Sequence, residues 1–269
     1  MKNIKMFAAH QAQRIAFVHH KGGTGKTTSC LNIGGWLNKL KQKVLILDLD
    51  PQGNATTGLG VDLKSVDASI ADVIFDRAKL EDVILETNSG VYLIPATLGL
   101  LETEIHLARQ LNPATFLREK IESLDSHFDF ILFDAPPGSG LLMINSIVAA
   151  ENIIIPLDSG IFGYETLETL KILLQDIQRK QGIEINILMA LLKSFSSSWS
   201  DSGFTRNIKK WVEEFFTLNA LEGCRVCTVP FSRKIYEAQH SGLPISHYAP
   251  LAKVGRVYRR IAKEIIGRN

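Results

Sequence analysis

Short apolar blocks recur along the chain, each closed by an acidic residue, a glycine or a proline, and between them apolar residues return every three or four positions. The blocks "RIAFVHH" (14–20), "KVLILDLD" (43–50), "VYLIPAT" (91–97), "FDFILFD" (128–134), "ENIIIPLD" (151–158), "EINILMALLK" (184–193) and "CRVCTVPF" (224–231) predict buried strands. Helical spacing over 27–42 groups Leu31, Ile33, Trp36, Leu37 and Leu40. Further helices are expected from Pro113, near 164–180 and 204–216, and over 255–268, where Val257, Ile261 and Ile265 share one side. Strands alternating with helices predict an α/β fold, a mostly parallel twisted sheet flanked by helices on both faces. No linker, low-complexity stretch or internal repeat divides the chain, so one domain is expected over 13–269 behind a short polar leader at 1–12.

Composition adds little to this picture and removes some alternatives. Hydrophobic residues are 45% of the 269 and charged ones 22%, enough to bury a large core without the bias of a disordered chain. The apolar blocks fall far short of the ~20 residues a membrane helix needs, and the N-terminus lacks a secretory signal, so a cytosolic protein is expected. Three cysteines make no disulfide framework. The lone CxxC of Cys224 and Cys227 lacks the two further ligands of a four-coordinate zinc site, and chance spacing is the preferred reading.

Charge is uneven. Residues 193–269 hold 13 Lys and Arg against 6 Asp and Glu, so this third carries +7 and the rest −5. Such asymmetry suits a polyanionic partner, or a solvated basic face. Arg206, Lys209 and Lys210 are spaced to cluster on one helix face, and Arg256, Arg259, Arg260 and Lys263 line the last helix.

The strongest chemical signal is "KGGTGKTT" at 21–28, a glycine-rich turn between a strand and a helix. Gly22, Gly23, Thr24, Gly25, Lys26 and Thr27 match the end of the phosphate-loop pattern, with His20 in place of its first glycine and an additional lysine, Lys21. Glycines let backbone N–H groups approach phosphate oxygens at a helix N-terminus. Lys26 is expected on the β- and γ-phosphates and the Thr27 hydroxyl on Mg²⁺. Asp48 and Asp50 would share a face if the second strand ran on through both. Asp134 closes a third strand beside them, although strand-terminal Asp also serves as a plain turn former.

"KGGTGKTT", "LDLDPQGNATTGLG" and "FILFDAPPG", in that order, resemble the three nucleotide motifs of the deviant Walker A ATPases, specifically the ParA partition family that includes MinD as a relative. Further resemblance in "LIPATLGLLETEIHL", "LLMINSIVAAENIIIPLD" and "AQHSGLPISHYAP" extends it over roughly 14–266. The resemblance implies a P-loop NTPase fold, an ATPase using ATP and Mg²⁺, and a homodimer that forms on ATP binding. It implies that Lys21 reaches the phosphates held by the partner subunit, as an arginine finger in trans does. Asp50 would orient the attacking water, and Asp134 would hold Mg²⁺ through a water, with Thr27 and Asp50 beside it. Gly22 to Thr28 would hold the phosphates, while Pro230 and Ser232 occupy the base-binding segment, Ser232 replacing the family's asparagine.

The same resemblance implies non-specific DNA binding, with Lys234 at a basic position used by relatives, and a ParB-like activator protein. Localisation to the cytoplasm, on the nucleoid, follows. The leader is too short for an operator-reading helix-turn-helix. Two alternatives carry weight: a MinD-like membrane-associated positioning ATPase, disfavoured by the small and β-branched apolar side of the last helix, and an ATP-dependent small-molecule ligase on the same scaffold. The tyrosine-rich tail of bacterial tyrosine kinases is missing, and the cysteines do not fall where the iron-sulfur reductases need them.

Overall fold

The computed structural model describes residues 11–158, 163–194, 203–218 and 224–268, with side chains left aside at 163–165, 203–206 and 218. The strands are β1 (Gln13–Phe17), β2 (Val44–Asp48), β3 (Leu85–Glu86), β4 (Tyr92–Ile94), β5 (Phe130–Asp134), β6 (Asn152–Asp158), β7 (Asn186–Lys193) and β8 (Arg225–Val229). They form one eight-stranded sheet in the order β3-β4-β2-β5-β1-β6-β7-β8. Every pairing is parallel except β3 with β4, an antiparallel edge that sequence pattern did not reveal because two residues are too few to show a period.

The apolar blocks became buried strands for a reason visible in their alternation. Ala16, Leu45, Leu47, Ile131 and Phe133 point into one core, and their neighbours Ile15, Phe17, Ile46, Phe130 and Leu132 into the other. Side chains alternate across a strand, so a strand covered on both faces must be apolar at every position. The second core is covered by α1 (Lys26–Lys39), α2 (Asn54–Gly58) and helices near the C-terminus. The first is covered by α3 (Ile70–Ile74), α4 (Leu100–Ala108), α5 (Phe116–Ile121), α6 (Leu141–Ala150), α7 (Gly163–Gln181) and α8 (Gly203–Leu218).

The C-terminal third closes with α9 (Arg233–His240), α10 (Ile245–Tyr248) and α11 (Lys253–Ile266). Val254, Tyr258, Ile261, Ala262 and Ile265 of α11 are buried in the second core, against α1. The apolar side of the last helix is therefore used up inside the protein. An interfacial membrane helix needs that side free. Among the described residues no helix is long and apolar enough to cross a membrane.

Parallel register sets the functional rim. Phe17 and Asp48 are both level with Asp134 across β1, β5 and β2, so the C-terminal ends of three central strands finish together. In open α/β sheets that rim is where ligands bind.

Candidate nucleotide site

β1 runs into the turn at Val18, and α1 begins at Lys26 with Gly25 as its N-cap. Gly23 (φ +75°) and Gly25 (φ +98°) have left-handed backbones, which side chains other than glycine's resist. His20 does not, which is why a histidine can stand where the motif's first glycine is expected. Its carbonyl instead accepts the Gly138 N–H at 2.8 Å, joining the turn after β5 to the turn after β1.

The open cleft beside this turn has a volume of about 620 Å³. Gly22, Gly23, Gly25, Lys26, Thr27 and Thr28 line one side, Asp50 and Asn54 another, and Lys193, Tyr236 and Gln239 a third. Lys26 is only 6% exposed. Burial pulls its ammonium pKa down, while Asp134 and Asp50 push it back up, and its Nζ donates to the Lys21 carbonyl at 3.2 Å. Lys21 itself is exposed at the loop's outer rim, outside the lining of the cleft.

The Lys21 N–H donates to Nδ1 of His19 at 3.0 Å, so His19 must be the neutral tautomer with its proton on Nε2. Burial, then the neighbouring His20 and the two lysines, holds its pKa down at about 3. Because the folded value lies below the unfolded one, this group's contribution is complete above about pH 6.5 and is lost as pH falls toward about 3. We expect the unfolding free energy of the wild type, from denaturant titrations, to fall more steeply than that of His19→Gln between about pH 7 and 5, by up to about 1.4 kcal/mol per pH unit. A constant gap between the two proteins across that range would remove His19 as the titrating group.

The three acids take different roles. β2 ends at Asp48, so the strand does not continue through both carboxylates, and the condition for a shared strand face of Asp48 and Asp50 is not met. Asp48 is fully buried and accepts the Thr56 N–H and hydroxyl, both at 2.8 Å, and the Asp50 N–H at 3.2 Å. It staples the loop after β2, with burial pushing its pKa up to about 6 against those hydrogen bonds. Asp50 turns into the cleft, one oxygen held by the Gln52 N–H at 3.0 Å.

Asp134 is fully buried, and neither carboxylate oxygen has a hydrogen-bond partner. Its pKa is driven well up by burial and by Asp48, with Thr27 and Lys26 the groups that oppose this. Thr27 is near enough to favour the charged form without completing a hydrogen bond. A buried carboxylate lacking partners is costly unless a cation or ordered water supplies them. Asp134 beside the Thr27 hydroxyl therefore fits Mg²⁺, an oxygen-seeking ion that keeps several waters.

Not every expected residue converges here. Pro230 is buried at the end of β8 and Ser232 is the N-cap residue of α9; neither lines the cleft. Tyr236, Gln239 and His240, one turn further along α9, do. Gln239 also reaches the Thr28 hydroxyl at 3.4 Å.

On the basic surface, Arg256, Arg259, Arg260 and Lys263 are exposed along α11, and Lys234 on α9. Arg259 stacks over the Trp36 ring, 5.7 Å from its centroid. Lys209 and Lys210 pair with Glu213 and Glu214 along α8, which weakens their field, and the Arg206 side chain lies outside the described residues. Cys224 and Cys227 are inert thiols, burial raising both pKa values, Cys224's to about 12.

Comparison with known proteins puts this site in context. A family model described as an AAA domain matches residues 12–187. The sporulation initiation inhibitor protein Soj of Bacillus subtilis is 31% identical over 93% of this chain and 97% of its own. The chromosome-partitioning ATPase Soj of Treponema pallidum is also 31% identical, over 95% and 97%. Among solved structures, the septum site-determining protein MinD of Pyrococcus horikoshii, complexed with Mg-ADP, is 27% identical with a TM-score of 0.74, covering 94% of this chain and 96% of that one. Cobyrinic acid a,c-diamide synthase of Mycobacterium smegmatis, with ADP and magnesium, superposes at 0.79 with 24% identity, over 95% and 94%. The last likeness is one of fold, and fold alone does not choose between a synthase and a positioning ATPase.

Proposed function

The chain belongs to the ParA family of ATPases, and from that premise we propose that it is an ATP-driven dimerisation switch that binds DNA non-specifically and positions a cargo. The whole of 13–269 acts as one ATPase domain. The observation that carries this reading is the meeting of Lys26, Thr27, Asp50 and Asp134 at one rim, with a basic helix packed on the back of the phosphate-loop helix. Backbone N–H groups from Gly22 to Thr28 and the Lys26 ammonium hold the β- and γ-phosphates. Thr27 and Asp134 would hold Mg²⁺, which when bound would supply positive charge to the phosphoryl group being transferred. Asp50 orients the attacking water.

Lys21 stands outside its own cleft, and we assign it to the phosphates of a second subunit. Positive charge delivered in trans makes hydrolysis depend on dimerisation. Lys21→Ala is therefore expected to leave nucleotide binding by the monomer within about threefold while removing the ATP-dependent dimer. Light scattering with and without ATP measures this, and an intact dimer in the variant would end the assignment.

Arg256, Arg259, Arg260 and Lys234, doubled in a dimer, supply phosphate contacts without a base-reading motif. Such binding falls steeply with salt. The test is the mobility of an arbitrary DNA duplex with protein and no nucleotide, ADP, or ATP with Mg²⁺, at two salt concentrations. A shift seen only with ATP and lost at higher salt is the expected result; no shift in any condition would overturn the DNA-bound switch. The activator is expected to be a ParB-like protein that speeds the weak hydrolysis.

A further inference from the structure

Lys193 closes β7, where an apolar run meets its loop, and no sequence pattern marks it. In the fold this residue faces the phosphate loop. Its Nζ donates to the Gly23 carbonyl at 3.0 Å, although the two residues are 170 positions apart. A Cβ added at Gly25 would meet Lys193 Cδ at 3.7 Å, so the lysine stem runs alongside the loop before its ammonium reaches Gly23. Gly23 and Gly25 are the two left-handed residues of the loop. One lysine thus bonds to the first of these residues and lies beside the second. Lys193 is half-buried and forms part of the cleft wall.

We propose that Lys193 is a positioning residue for nucleotide binding, strapping the phosphate loop to the end of β7. The inference rests on the phosphate-loop reading given above. A glycine-rich loop can rotate its peptide planes, and each plane turned the wrong way presents a carbonyl oxygen to an anion where an N–H is needed. The ammonium gives the Gly23 carbonyl a fixed partner within the protein, and the methylene stem limits movement at Gly25. Lys26 makes a similar contact with the Lys21 carbonyl, but from within the loop's own helix. Lys193 comes from two strands away, across β6, and so ties the loop to a strand outside the β1–α1 unit that builds it. Preorganisation of this kind strengthens binding by reducing the ordering that the ligand must impose.

Three variants separate the strap from other roles. Lys193→Met keeps most of the stem and removes the donor, Lys193→Ala removes both, and Lys193→Arg restores a charged donor. Titration with fluorescent ADP and ATP analogues in Mg²⁺ should show Kd raised roughly tenfold for both nucleotides in Lys193→Met, more in Lys193→Ala, and largely recovered in Lys193→Arg. KM for ATP should rise by more than kcat falls. Hydrogen exchange of the nucleotide-free protein should quicken over residues 20–27 in Lys193→Met, while exchange in β1 and β5 keeps its wild-type rate. Unchanged Kd and unchanged loop exchange would overturn the inference, and so would a loss confined to ATP, which would make Lys193 a direct γ-phosphate ligand. Failure of the wild type to bind either nucleotide would instead sink the phosphate-loop reading beneath it.

Discussion

Lys26→Ala is expected to abolish nucleotide binding while leaving the protein folded. Each hydrogen bond to a charged group contributes about 1.5–3 kcal/mol, so losing two on the phosphates weakens binding by roughly 10²–10⁴-fold. The acids enlarge the effect. Asp134 and Asp50 both raise the pKa of Lys26, and without its charge they face an incoming triphosphate with less compensation. The nucleotide-free protein should stay folded, because the alanine removes the cost of burying an ammonium while also removing a cation that favours the charged form of Asp134, and the two effects oppose. A cooperative thermal melt, together with no detectable binding of a fluorescent ATP analogue, is the expected pair of results. Affinity retained within about threefold would contradict the assignment of this loop.

Asp50→Ala separates the chemistry from the binding. Asp50 lines the cleft with one oxygen fixed by the Gln52 N–H, which leaves the other to orient a water molecule. Removing a positioned acid–base group lowers turnover by roughly 10²–10⁴-fold. Nucleotide should still bind, since the phosphate contacts are proposed to come from the loop and Lys26. The ATP-bound dimer should then accumulate, visible as a stable larger species by light scattering with Mg-ATP. Single-turnover hydrolysis at the wild-type rate would remove Asp50 from the mechanism.

The parts of the site legible in the sequence were those whose partners lie nearby in the chain. Gly23, Gly25, Lys26 and Thr27 are read together because a turn between strand and helix dictates their roles over five positions. The buried strands were equally plain, since two covered faces force apolar residues at each step. For Asp48 and Asp50 the sequence left a condition open: alternation holds only while the strand lasts, and β2 stops at Asp48. Thr56, eight residues on, then claims the Asp48 carboxylate.

Long-range partners left no trace. Lys193 finds Gly23 only once β7 is placed beside β6, and Gln239 reaches Thr28 from 211 positions away. The base-binding segment was read at Pro230 and Ser232, which do not line the cleft; α9 begins at Arg233, and Tyr236, Gln239 and His240 of that helix do. Glu104 is a similar case. It accepts the Leu141 N–H at 2.9 Å, capping α6 from another helix.

The packing of α11 on α1 bears on how the nucleotide site and the proposed DNA-binding face must answer each other. Tyr258 of α11 meets the Ser29 hydroxyl, three residues beyond Lys26, and the Lys39 ammonium at the far end of α1 holds the Ser246 carbonyl at 2.7 Å. The phosphate loop and the basic face therefore share one rigid helix as their common wall. Thermodynamic reciprocity then fixes a relation that needs no knowledge of the path between them. Whatever factor ATP confers on the proposed DNA affinity, DNA must confer on ATP affinity, so if ATP strengthens DNA binding a DNA-bound molecule would hold its nucleotide more tightly than a free one.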